Sequence, residues 1–255
     1  MPDIIQSLWI GPRLSQMEQL SITSFLRNGH PFHLYAYQPI QGVPDGAVVL
    51  DANEILPSSR IFKYTGYDSY AGFSNFFRYK LLCLKGGWWV DADTVCLKAF
   101  EFQEPFVFAS VMVPAADGAC VPAVASCVFK APPASAIMQS ACAYCDAVDP
   151  NELGWGQSGP ELLRRLVPEF SLQEHVQPPE TFCPLPWSQW DLQLEPGIAW
   201  TFGEHTSAVH LWNELWRRAG ADKDQTWEAD CLYEQLKRRY LESRHGIPYP
   251  TAHPG

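Results

Sequence analysis

The chain has 255 residues, 47% of them hydrophobic and 18% charged, with 28 Asp and Glu against 18 Lys and Arg and a formal net charge of −10. So much apolar material excludes a disordered segment and suits one large α/β domain spanning residues 1–255. The acidic balance excludes a nucleic-acid binder, which needs a cationic footprint on phosphate, and no run approaches the ~18 apolar residues of a spanning helix.

In chain order, residues 4–10 (IIQSLWI) read as a buried strand closed by Gly11-Pro12, and 15–28 as a helix stopped at Asn28-Gly29. Strands are predicted at 32–37 and 47–50, so the start of the chain is a βαβ unit and implies a parallel sheet. A helix over 69–84 ends at Lys85-Gly86-Gly87, and a short apolar strand over 88–90 runs into Asp91-Ala92-Asp93. Further strands are expected at 106–113 and 124–129, and helices at 134–147 and 159–167. From about residue 170 the chain turns Pro- and Trp-rich and reads as irregular, before a strand at 208–212, a helix over 224–243 and a flexible tail at 245–255.

The basic clusters Arg164-Arg165, Arg217-Arg218 and Lys237-Arg238-Arg239 read as solvated helix faces, with peripheral contact to lipid headgroups as the second reading. The N-terminus MPDIIQSLWIGP has neither the basic start nor the apolar stretch of an export signal, so a cytoplasmic location is expected, with all eight cysteines reduced and mostly buried. Cys142 and Cys145 have the spacing of half a zinc site without a second half, and packing on a helix explains them better.

The chemistry concentrates at the end of the 88–90 strand. Asp91 and Asp93, one residue apart, can present two carboxylates to Mn²⁺ or Mg²⁺, although a solvated acidic turn has the same pattern. Arg78 shares a helix face with Ser74 and Asn75 and can neutralise a diphosphate or pair with one of these acids. In Ser207-Ala-Val-His210-Leu-Trp212-Asn213, the imidazole reads either as a hydrogen-bonded core group or as a metal ligand; the pattern leaves both open.

The stretch FSNFFRYKLLCLKGGWWVDADTVCLK resembles the core of the DXD-containing glycosyltransferases of family 32 and, more distantly, the catalytic domain of clostridial glucosylating toxins. IIQSLWIG is similar to the family's opening strand, while GQSGPELL, FCPLPW and AVHLWN resemble its α-1,4-glycosyltransferase branch. The resemblance implies a GT-A-like α/β fold with a mainly parallel central sheet flanked by helices. It also implies metal-dependent, retaining transfer of a hexosyl group from a UDP-sugar to a hydroxyl acceptor such as a glycan, glycolipid or small molecule. By this likeness Trp9 stacks on uracil, Arg78 approaches diphosphate and sugar, Asp91 contacts ribose and sugar, and Asp93 and His210, with Asp91 beside them, hold Mn²⁺ or Mg²⁺. Ser74, Trp212 and Asn213 fall on the donor side, and Gln157, Ser158 and Gly159 on the acceptor side. Asn75 stands where the family usually has Asp, which implies altered donor choice. Removing Asp93, taken as a ligand near solvent, is expected to abolish metal-dependent donor binding while stability holds or rises. The rival readings are a catalytically silent carbohydrate- or UDP-sugar-binding module, and a metal-dependent nucleotidyltransferase or phosphohydrolase built on the same carboxylates.

Overall fold

Short strands apolar on both sides need cover on both faces, and that requirement organises the chain. The computed structural model describes residues 3–115 and 117–242, so the expected tail at 245–255 lies outside the described residues. Strands β1 (Ile5–Trp9), β2 (Phe32–Ala36) and β3 (Val48–Asp51) form one parallel side of a six-stranded sheet, with helix α1 (Gln16–Arg27) connecting β1 to β2. Helix α2 (Ala71–Lys85) leads into β4 (Gly87–Val90), which lies parallel to β1; the short β5 (Thr94–Cys96) leaves the sheet, and β6 (Val107–Pro114) and β7 (Cys120–Ala131) complete it antiparallel. The order is β3-β2-β1-β4-β7-β6, which is the mainly parallel sheet expected.

Alternation along the strands divides the core. Ile5, Phe32 and Trp88 point to the side covered by Ile22 and Phe25 of α1. Leu8, Tyr35 and Trp89 point to the opposite side, where α2, α3 (Ala136–Ala147) and α4 (Pro160–Glu169) supply Phe77, Met138 and Leu163. Helix α1 starts on a capping box in which the Ser15 N–H donates to the Glu18 carboxylate at 2.7 Å. Helix α2 stops at Gly86, whose φ of 65° and whose place 2.5 Å from Pro133 Cδ for any added Cβ leave room for no side chain. Cys142 and Cys145 pack into the α2–α3 side of the core.

The C-terminal part departs from expectation. After the single-turn α5 (Pro179–Phe182), the strand β8 (Ala208–His210) is shorter than predicted and pairs antiparallel with β5 as a separate two-stranded sheet. The chain then turns at Trp212 into α6 (Asn213–Ala219), where the sequence reading continued the strand. The helix expected over 224–243 is reduced to α7 (Leu232–Lys237) and a π-turn over Arg238–Glu242. Residues before it serve as a clasp instead: the Asp224 carboxylate accepts the Gln16 N–H at 2.7 Å at the start of α1. Met17 and Leu20 of α1 pack with Val209, Leu211, Trp216 and Tyr233, so the C-terminal part closes over the first helix. Lys237 corrects the solvated-face reading, being 4% exposed and paired with Glu234. Strand β7 also begins earlier than predicted, because residues 120–123 pair with β6 in a largely exposed hairpin whose apolar residues bury no face. No helix among the described residues is long and apolar enough to cross a membrane.

One buried group ties this fold to pH. His30 sits with Nδ1–H donating to the Asp3 carbonyl (3.0 Å) and Nε2 accepting the Phe100 N–H (2.8 Å), an arrangement only the neutral ring satisfies. Burial drives its pKa below the ordinary histidine value, with Asp3 opposing in part. The unfolded chain therefore takes up this proton first as pH falls, so the stabilisation is present above about pH 6.5 and is lost below it. His210, raised in the folded chain, contributes with the opposite sign, so the His30 contribution is read as a difference: between about pH 7 and about pH 5.5 the urea midpoint of the wild type should fall relative to that of His30→Gln.

Candidate functional site

Beyond Val90 the chain leaves the sheet in a tight turn, with Asp91 N–H donating to Cys127 O (2.7 Å) and Thr94 N–H to Asp91 O (3.0 Å). This turn sets the two carboxylates at the carboxyl end of β4, where ligands of open α/β sheets gather. Asp91 accepts Trp89 Nε1–H at 2.9 Å and pairs with Arg78 Nη2 at 3.0 Å. Asp93, only 7% exposed, accepts the Asn213 N–H at 2.7 Å and lies 3.2 Å from His210 Nε2. Leu211 N–H closes the same turn on Asp93 O at 2.9 Å.

Arg78 is fixed on every side. Its guanidinium donates to Ser74 O (3.2 Å), Ser74 Oγ (3.0 Å) and Ser126 O, and its Cζ rests 4.8 Å from the centre of the Trp89 ring. Asn75, one turn earlier, donates from Nδ2 to Ser158 Oγ at 3.2 Å. Ser158 is fully buried and Gly159 packs so closely that an added Cβ would stand 2.8 Å from Asn75 Nδ2. Gln157 is exposed and folds back to accept the Gly154 N–H. This loop is therefore a support behind Asn75, and it shows the cavity Trp155, Gly156 and Pro160 rather than residues 157–159.

The cavity measures about 1050 Å³ and runs from Trp9 and Lys223, past Asp91, Asp93 and His210, to Tyr64 and Trp155. Trp9 donates its indole N–H to Arg13 O at 3.0 Å, and the Lys223 ammonium stands 5.6 Å over its ring. Trp212 holds a left-handed backbone (φ 61°, ψ 47°) that turns β8 into α6. Its ring lies 4.0 Å from that of His210, and its Nε1–H donates to Leu185 O at 2.9 Å. Ser74, Asn75, Arg78, Asp91, Asp93, His210, Trp212, Asn213 and Trp9 thus all line one cavity. Trp89, Ser126, Lys223 and Trp155 were not singled out from sequence; Trp89 and Ser126 gave only the signal of strand residues.

Burial is the largest influence on Asp91, Asp93 and His210. It raises the Asp91 carboxyl above its ordinary value against the opposing Arg78 charge. At Asp93, burial is outweighed by the charge and hydrogen bond of His210 and by the Asn213 N–H, which hold the carboxyl below its ordinary value. His210 is carried upward by Asp93 despite its own burial. Donor atoms of Asp91, Asp93 and His210 lie within 4.8 Å of one another. Two carboxylates and one imidazole form a donor set that fits Mn²⁺ and, less selectively, Mg²⁺.

Comparison with known proteins divides along the chain. Residues 149–240, which carry Ser158, His210 and Asn213, match the family profile described as "Alpha 1,4-glycosyltransferase conserved region". The lactosylceramide 4-alpha-galactosyltransferases of Mus musculus and Homo sapiens are 30% and 33% identical over 105 residues, covering 36% of this chain and 28% and 29% of theirs. The aligned stretch thus spans under a third of the length of those curated relatives. A solved structure titled "PaToxG Glycosyltransferase" superposes with a TM-score of 0.50 over 94% of this chain and 86% of its own, at 15% identity. That likeness takes in the Asp91–Asp93 half as well and shows the fold to be the GT-A type.

The geometry reverses the expectation for Asp93 stability. Asp93→Ala strands a buried imidazolium and leaves the Asn213 N–H without its acceptor, so it should destabilise by about 3–5 kcal/mol rather than hold or gain. Urea unfolding in a chelator measures it, and a gain in stability would refute the tie. Gly159→Ala should displace Asn75, visible as a local change in its side-chain amide NMR signals with the fold retained.

Proposed function

We propose that this chain, which carries the conserved region of the alpha 1,4-glycosyltransferases on a GT-A fold, is a metal-dependent, retaining hexosyltransferase that uses a UDP-sugar and a hydroxyl acceptor. The observation that carries the reading is the meeting of Arg78, Asp91, Asp93 and His210 at the carboxyl end of β4, inside a cavity of about 1050 Å³. Trp9, with one ring edge tied to Arg13 O, offers a flat surface for uracil at one end. Asp93 and His210, with Asp91 beside them, would hold Mn²⁺ or Mg²⁺, which when bound supplies Lewis-acid charge to the departing diphosphate.

The chain's own residues do the rest. Arg78 is immobilised by Ser74, Ser126, Asp91 and Trp89 before any substrate arrives, so its charge stabilises the leaving phosphate without reorganising. The Asn213 N–H and His210 hold Asp93 in its ionised form. Asn75, supported from behind by Ser158 and Gly159, presents an amide to the transferred sugar. Asp91, Asp93 and Glu214 are each engaged by a cation, so none of these three stands free as a covalent nucleophile, in keeping with same-face attack by the acceptor.

Turnover with UDP-glucose, UDP-galactose and their N-acetyl forms, with and without Mn²⁺, tests the reading; no donor raising the melting point and none consumed would sink it. Trp9→Ala should weaken UDP binding by about 1–3 kcal/mol, with Trp9→Phe recovering much of the loss. Asn75→Asp should change the ratio of rates among the four donors, by about 1–3 kcal/mol for one charge-assisted hydrogen bond.

A further inference from the structure

Beneath the carboxylate site lies a second cluster of a different chemical character. Cys127 on β7, Cys183 just after α5 and His210 at the end of β8 come from three separate parts of the chain. Their donor atoms lie within 4.8 Å of one another, and the three residues are 3%, 3% and 7% exposed. The two sulfurs are 3.6 Å apart. A disulfide needs about 2.05 Å, whereas two thiolates on one tetrahedral zinc, each about 2.3 Å from it, stand about 3.8 Å apart. His210 commits Nε2 to Asp93, and its buried Nδ1 meets no oxygen or nitrogen partner; the group that interacts with the ring from the other side is the Cys127 thiol.

We propose that Cys127, Cys183 and His210 Nδ1 form a zinc site directly below the cavity, which shares His210 with the carboxylate site. Two soft thiolates and an imidazole select Zn²⁺ over the oxygen-seeking Mg²⁺ and Mn²⁺. The ion enters as a dication and displaces three protons to solvent, the two thiol protons and the Nδ1 proton of the His210 imidazolium, with no change of oxidation state. The fourth position has an approach, because Cys127 and His210 both line the cavity. Asp93 then completes a carboxylate–imidazole–zinc relay, accepting Nε2–H and fixing the tautomer that frees Nδ1 to ligate.

The sharing has a consequence that rests on the proposed function, although the zinc site itself does not. With zinc on Nδ1, Nε2 keeps its proton for Asp93, and His210 is withdrawn from the carboxylate site. Zinc is therefore an antagonist of Mn²⁺ binding in the same protein.

The experiment is an anaerobic titration of the reduced full chain with Co²⁺ as the spectroscopic substitute for zinc. One equivalent should produce a near-ultraviolet thiolate-to-cobalt band that Zn²⁺ abolishes. Cys127→Ser and Cys183→Ser should each lose it, and Cys142→Ser and Cys145→Ser should keep it. Circular dichroism establishes that each variant is folded, and the wild-type spectrum decides the matter even if one is not. Absence of the band in folded wild type, or its loss only in the Cys142 or Cys145 variants, overturns the site. Free Mn²⁺ measured by electron paramagnetic resonance should rise at least tenfold in apparent dissociation constant once zinc is bound. Unchanged Mn²⁺ affinity beside an intact cobalt band overturns the sharing alone. A chain that shows the cobalt band but never turns over a UDP-sugar refutes the transferase reading and leaves the zinc site standing.

Discussion

A buried carboxylate cannot stay ionised without partners, and Asp93 obtains both of its partners from a distant part of the chain. His210 Nε2 at 3.2 Å and the Asn213 N–H at 2.7 Å reach it across sequence separations of 117 and 120 residues. The pairing of β5 with β8, the turn at Trp212 and the packing of the C-terminal part over α1 all hold those partners in place. The carboxylate at the centre of the candidate site thus also ties β4's end to the C-terminal part of the chain, which explains why it is buried and not merely displayed at a strand end.

The neighbouring Asp91–Arg78 pair works by another means. Asp91 remains partly exposed to the cavity while the guanidinium is buried beneath it, held by Ser74 and the carbonyl of Ser126. Most of the arginine's donors are therefore met by the protein, and its position is set by α2 and β7 together instead of by its own flexible stem. A cation prepared in this way loses little entropy when an anion arrives.

Much of this was legible in the sequence where local patterns carry the structure. The apolar run Trp88-Trp89-Val90, the stop at Gly86 and the acids that follow locate β4 and its carboxylates, because a strand buried on both faces has no polar alternation to obscure it. Other features had no local signature. β5 and β8 are three residues each and exist through their mutual pairing. Ser158, put on the acceptor side by the family resemblance, is fully buried because Asn75 and Tyr64 converge on its hydroxyl. Lys237 looks like part of a basic surface cluster, but Glu234 and the carbonyl of Gln225 draw its ammonium inward. Cys127 and Cys183 are 56 residues apart, and no spacing rule joins them.

Trp212 imposes an evolutionary constraint on this corner of the molecule. Its left-handed backbone favours glycine or asparagine, while its ring must lie against His210 and its indole must reach Leu185 O. Substitutions that relax the backbone discard the aromatic wall, and those that preserve the ring retain the strain. No single replacement improves both, so descendants of this sequence can vary the residue only by changing the partners around it at the same time. Drift at 212 is therefore coupled to drift at 210, whose ring it packs against, while the carbonyl it reaches at 185 is supplied by any residue there.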